Sequence, residues 1–161
     1  MTTYDLNKAW EFAKKLEANK GAPEFYVNRE KIDVAKISDA ITIDNITIKV
    51  TPKFEKHNGN YVKTEDGRYK QMINKKGEII TKTTIFVGFD GDKYFATNSS
   101  PMCAQLKAIF MDDYPDFDKV GALFDIHEFN GSKVRIVTTP VKYSSKNGDE
   151  KEYDRPIFAN A

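Results

Sequence analysis

Two histidines, one cysteine and scattered carboxylates are the groups in this chain that could ligate a metal or move a proton. His57 and His127 lie far apart, and a single cysteine cannot supply the Cys and His set of a structural zinc site. On an extended strand Asp125 and His127 would share one face and Glu128 would point the other way. With so few ligands, a mixed polar surface strand explains them better than a metal or acid–base pair. Cys103 falls in the first turn of a predicted helix, where a thiolate is favoured. The sequence indicates no histidine partner for it, so a small buried hydrophobe is expected. Asp112, Asp113, Asp116 and Asp118 lack the glycine and closing glutamate of a calcium loop and enclose Pro115, so they read as a solvated loop. Neither GxxxxGK[ST] nor GxGxxG occurs. The expectation is a protein that is not an enzyme and uses no cofactor.

Binding chemistry is better supplied. From Ile46 to Phe86 nine basic residues face four acidic ones, a net charge of +5, whereas Asp112 to Glu128 holds six acids against Lys119, a net −5. The whole chain carries only +1. Such a dipolar chain can present a basic face while its total charge stays near zero. Phe54, Tyr61 and Tyr69 are interleaved with the basic residues, and Phe89 and Tyr94 follow on the next predicted hairpin. Rings among lysines suit a single-stranded nucleic acid, whose bases stack while the cations follow the phosphates. The competing explanation is ordinary: lysines solubilise sheet edges and the aromatics fill the core.

The elements that must position these groups are mostly strands. Ile79 to Phe129 organises the chain, with two β-type runs around Asp90-Gly91 and then Asn98-Ser99-Ser100-Pro101, a serine cap with proline at the first helical position. Met102, Leu106, Ile109 and Phe110 form the apolar stripe of the helix Pro101 to Met111, and Leu123 to Phe129 returns to strand. Before this stretch, Ile41 to Phe54 is rich in β-branched residues, is interrupted at Asp44-Asn45, and meets an edge or bulge at Pro52. Asn58-Gly59, Asp66-Gly67, Asp90-Gly91, Asn130-Gly131 and Asn147-Gly148 each separate β-like runs, and Lys76-Gly77 is a weaker sixth, so an antiparallel meander is predicted. Ser132 to Tyr143 is a long strand broken or bent near Pro140, and Ser144 to Glu152 a projecting tip. Tyr4 to Asn19 is an amphipathic helix ended by Lys20-Gly21, expected to cover one end of the sheet with Trp10 in the core, or else to reach a neighbouring subunit. Phe25 to Lys36 has no clear period.

At 161 residues, 40% hydrophobic and 12% aromatic, the chain suits one globular domain. No apolar run approaches the roughly 20 residues of a membrane span, and the N-terminus lacks the apolar region of a secretory signal. A lone cysteine forms no internal disulfide, which fits a reducing cytoplasm.

Three meandering strands, a helix and two more strands is an order similar to that of the OB-fold. The candidates are Ile41 to Phe54, Tyr61 to Ile73, Ile79 to Thr97 (a folded-back hairpin), the helix Pro101 to Met111, Leu123 to Phe129 and Lys133 to Tyr143. The closing GSKVRIVTTPVKYSSKNGDEKEYDRPIF resembles the terminal hairpin of single-stranded-DNA-binding proteins of phages and conjugative plasmids. The resemblance covers residues 37 to 158 and rests on element order and texture. It implies a mainly β fold, an OB-like antiparallel five-stranded barrel with a helix between strands 3 and 4. To this the chain adds an N-terminal helix (residues 1–22). It further implies binding of single-stranded DNA, or RNA, without sequence preference. The flexible acidic tail of bacterial housekeeping members has no counterpart in the ending DRPIFANA. The expected contact residues are Lys53, Phe54, Tyr61, Lys63, Arg68, Tyr69, Lys70, Lys82, Phe89 and Tyr94, on a protein that could assemble as a homo-oligomer along the strand. Two alternatives stay open. One is a phage- or plasmid-borne inhibitor of a host defence protein, its acidic Asp112 to Asp118 imitating phosphates; the other is a small metalloenzyme using Asp125, His127 and Glu128.

Overall fold

A computed structural model describes residues 3–18, 21–115, 117, 119–144 and 147–161. In chain order the elements are α1 (Leu6–Ala18), a 3-10 turn (Glu24–Tyr26), β1 (Glu30–Lys31), a second 3-10 turn (Val34–Lys36) and β2 (Ile41–Pro52). Then come β3 (Lys56–His57), β4 (Asn60–Tyr61), β5 (Thr81–Phe89), β6 (Lys93–Thr97), α2 (Ser100–Phe110), β7 (Leu123–Ile126), β8 (Lys133–Ser144) and β9 (Glu150–Asn160).

β2 is the shared strand. Along one edge it pairs antiparallel with β5, and along the other with β8 at Ile41 and Thr42 and with β7 from Ile46 to Lys49. The pairing with β5 slips between Ile43 and Asn45, which is the interruption the sequence shows at Asp44-Asn45. One extra residue switches the inward face from odd to even positions. Ile41 and Ile43 therefore enter the core before the slip, and Ile46, Ile48 and Val50 enter it after. Ile85, Val87 and Phe89 of β5 and Phe95 of β6 meet them there. The β5–β6 turn is closed by Asp90 and Gly91 at φ 54° and 81°, positive angles that this pair of residue types tolerates.

The sheet runs β1-β6-β5-β2-β8-β9 and curls into a half-barrel. Among the described residues no backbone pairing joins β6 to β8 or β9, so the expected closed five-stranded barrel is not what is observed. α2 packs on β9, and Phe95 of β6 meets Phe158 of β9 at 6.5 Å between rings. Met102, Leu106 and Phe110 of α2 are buried in the core, and Gln105 binds β9 through both its amide atoms, to Phe158 O (2.9 Å) and from Phe158 N (2.8 Å). Ser99 does not cap α2 with its hydroxyl, which donates to Pro156 O at 3.0 Å and so ties the helix start to β9. Of the predicted order, Ile41 to Phe54 is β2, Ile79 to Thr97 is the folded-back hairpin β5–β6, and α2, β7 and β8 follow as expected, whereas the predicted second strand contributes nothing to the main sheet.

Other expectations are corrected. Tyr61 to Ile73 is not one barrel strand, because the chain reverses at Asp66-Gly67. Pro140 leaves β8 continuous, paired with Asp154 of β9. Asn130-Gly131 joins two strands that each pair with β2, not with one another. The aperiodic Phe25 to Lys36 holds the two 3-10 turns and β1, which pairs parallel with β6. α1 does not cover the sheet: Trp10 is 63% exposed, with Tyr4 and Leu6 also exposed. The expected helix end at Asn19 and Lys20, Asp116 and Asp118 of the acidic loop, and Ser145 and Lys146 of the last tip lie outside the described residues. Phe117 is buried against Phe124, and Tyr114 stacks on Phe124 at 4.8 Å, so the segment read as a solvated loop is pinned by rings. Among the described residues no helix is long and apolar enough to cross a membrane.

Candidate nucleic-acid interface

Between β2 and β5 the chain makes a small meander of its own, residues 53 to 80, which contains β3 and β4. Three reversals build it. Asn58 and Gly59 both have positive φ, the two-residue turn that matches strand twist. Thr64 to Gly67 and Asn74 to Gly77 are each closed by a hydrogen bond from the glycine N–H back to the first residue's carbonyl (3.0 Å in both). The Asn74 side chain also accepts from the N–H groups of Lys76 and Glu78.

Opposite residues of an antiparallel pair share a face. The pairs Lys56↔Tyr61, Lys63↔Tyr69 and Phe54↔Gln71 therefore put three rings and two lysines on one side. The rings touch: Tyr61 and Tyr69 are 5.4 Å apart between centroids, and Phe54 lies 6.0 Å from Tyr69 and 6.4 Å from Tyr61. Lys56 Nζ sits 4.8 Å from the centre of Tyr61 and Lys63 Nζ 5.6 Å from that of Tyr69, within cation–π range. Tyr61 is 52% exposed and Tyr69 53%, so the patch is open to solvent.

Strand alternation places Lys53, Arg68 and Lys70 on the other side of this meander. There Lys70 pairs with Glu55 (3.4 Å) and Arg68 with Asp66 (3.6 Å), exposed ion pairs worth about 0–1 kcal/mol each. The expected contact set is thus divided. Phe54, Tyr61, Lys63 and Tyr69 come together, and Lys56, which sequence reasoning passed over, joins them. Its signal was available in its position two residues from Phe54 and opposite Tyr61 across Asn58-Gly59.

Lys53 and Lys82 return at the base of the meander. A concavity of about 460 Å³ is lined by Lys53, Phe54, Lys56, Tyr61 and Lys82, with Thr51, Pro52 and Met72. A neighbour of about 320 Å³ shares Thr51 and Lys82 and adds Lys49 of β2 and Lys31 of β1. A third shares Lys53 and Lys82 and reaches Cys103, which packs half-buried against the core. Five lysines and no carboxylate line these three adjoining hollows, among the described residues.

Phe89 and Tyr94 are not stacking surfaces. Phe89 is 3% exposed because it continues the inward series Ile85, Val87. Tyr94 is on the outward series but only 1% exposed, since Tyr26 lies on it at 5.4 Å between rings. Tyr26 is the plug of that face. Its hydroxyl lies 2.9 Å from Thr47 Oγ1 and 3.1 Å from the Phe86 carbonyl, and the Thr47 hydroxyl in turn donates to Asp125. Burial, above all, pushes the Tyr26 hydroxyl up to about 12. Asn45 Nδ2 also donates to Asp125 (3.1 Å).

Asp125 is thereby committed to the sheet. His127 and Glu128 lie in the turn beyond β7, where the Tyr114 hydroxyl is 3.3 Å from Glu128. Among the described residues no three His, Cys, Asp or Glu side chains are placed to hold a metal ion.

Comparison with known families, with curated proteins and with solved structures finds nothing that matches this chain.

Proposed function

We propose that this protein binds single-stranded nucleic acid without sequence preference, as proteins that coat DNA during replication or transfer do. The observation that carries the reading is the cluster of exposed Tyr61 and Tyr69 with half-buried Phe54, and with Lys56 and Lys63 lying over the two tyrosine rings. From this patch the acid-free hollow of Lys53 and Lys82 continues to Lys49 and Lys31. Every base has a π-face, so rings take any sequence, while lysines neutralise phosphates at whatever spacing a flexible strand adopts. A duplex holds its bases stacked inside and offers the rings nothing to stack on. Lys53, Phe54, Lys56, Tyr61, Lys63, Tyr69 and Lys82 are the contact residues of this reading; Arg68 and Lys70, held by carboxylates on the far side, contribute general attraction. The test is fluorescence anisotropy of a labelled thymine homopolymer titrated in low and high salt. Binding that weakens with salt supports the reading, and absence of binding in low salt removes it.

A further inference from the structure

α1 bears a pairing of ring and cation outside the meander, as do Phe25 with Arg29 and Tyr153 with Arg155. Lys14 Nζ lies 5.4 Å from the centre of the Trp10 ring. Trp10, Tyr4 and Leu6 face solvent and close no core. A tryptophan so exposed, on a helix whose described side chains are all exposed, calls for a partner with a flat apolar face.

The place where α1 joins the fold says which partner. Gly21, just past the helix, lines the same hollow as Lys31, Lys49 and Lys82, and its carbonyl accepts a hydrogen bond from Lys49 Nζ at 3.1 Å. The helix therefore departs from the rim of the basic surface. About 12 Å of helix separates Trp10 from Ala18, at about 1.5 Å per residue. Charge supplies no preference for an acidic protein surface, since Asp5, Glu11 and Glu17 balance Lys8, Lys14 and Lys15.

We propose that α1 is a second arm of the nucleic-acid interface, on which Trp10 stacks against a base of the strand held by the lysine-lined hollow. The inference rests on the function proposed above and adds an element that the basic surface does not itself contain. Because α1 together with the preceding Asp5 is neutral, it contributes stacking without displacing counterions.

Trp10 is the chain's only tryptophan, so its emission reports on the contact directly. The full chain is titrated with oligothymidine while tryptophan emission and the anisotropy of a labelled oligothymidine are followed together. The expected result is quenching in step with the anisotropy rise. Trp10→Ala should weaken binding about fivefold to tenfold with the salt slope unchanged, and Trp10→Phe should recover part of the loss. Normal binding with unmoved emission and an unaffected Trp10→Ala variant overturns the role of α1 and leaves the basic surface standing. No binding by the wild-type chain overturns the surface itself, and the arm with it. Emission that follows protein concentration and ignores oligonucleotide, with a dimer in sedimentation lost on Trp10→Ala, assigns the helix face to a second copy and also overturns the proposal.

Discussion

Two ring trios stand on the basic half of this molecule, and they differ in what lies over them. Phe54, Tyr61 and Tyr69 are separated by 5.4 to 6.4 Å, and Tyr26 lies 5.7 Å from Phe86 and 5.4 Å from Tyr94. The spacing is the same kind of loose ring cluster. Over the first trio lie lysine side chains and solvent; the second is sealed, with Tyr26 and Tyr94 both buried and the Tyr26 hydroxyl bonded to Thr47. Residue type does not separate Tyr61 from Tyr94, since each is a tyrosine with a lysine within two residues along the chain. A distant segment arriving over one of them does. The sealed trio should govern stability and the open one binding, so exchange of those effects would break the comparison.

The largest effect belongs to the plug. Tyr26→Ala removes a fully buried ring and strands the polar groups around its hydroxyl, and about 3–5 kcal/mol of folding stability should be lost. Urea unfolding measures it; a loss below about 1 kcal/mol would mean that the face is not sealed as described.

The same residue gives the next effect, in pH. Its hydroxyl is raised from the ordinary 10.0 to about 12, so the folded chain holds that proton more tightly than the unfolded one. The stabilisation is complete below the unfolded value and is lost as pH climbs through the folded value. Stability should therefore fall by about 1.4 kcal/mol per pH unit across that window on account of this group. Tyr26→Phe carries no such proton. Tyr94, raised by its own burial, remains in both proteins and cancels in the difference. Parallel stability curves for wild type and Tyr26→Phe from about pH 10 upward would refute the assignment.

Why the sequence separates these trios only in part is visible in single residues. The strong signals were local: Asp90-Gly91 and Asn58-Gly59 for turns, Pro101 for the start of α2, and the alternating isoleucines of β2, whose break at Asp44-Asn45 is a shift in register against β5. Tyr61, Tyr69, Phe54 and Lys63 were legible as a site because two-residue and four-residue reversals fix which side chains share a face. Phe89 was readable too, since Ile85 and Val87 set the inward series on its own strand. Tyr94 was not. Its cover comes from Tyr26, in a stretch of 3-10 turns without a period, and no local pattern announces where such a stretch lands. α1 fails in the opposite sense, because its amphipathic pattern predicts a partner that the rest of the described chain does not provide.

On the open trio, Tyr61→Ala and Tyr69→Ala should each cost about 1–3 kcal/mol of binding to a thymine homopolymer. Both side chains are more than half exposed, so folding stability should move by less than about 0.5 kcal/mol. Anisotropy and urea unfolding of the same preparations check both halves. A stability loss comparable to that of Tyr26→Ala, with binding intact, would make the meander a piece of core and dissolve the contrast.

The finest test uses the two sides of the meander. Lys56 and Lys63 stand over the rings, whereas Lys70 and Arg68 on the other side face Glu55 and Asp66. Each lysine that meets a phosphate contributes about 0.7 to the slope of log affinity against log salt for a single strand. Lys56→Ala with Lys63→Ala should therefore flatten that slope by about 1.4, if both meet phosphates. Arg68→Ala with Lys70→Ala removes charges already matched by carboxylates and should change it by well under half as much. Equal flattening by the two pairs would mean that the strand does not distinguish the faces, and that attraction to the meander is diffuse charge instead of a site built on its rings.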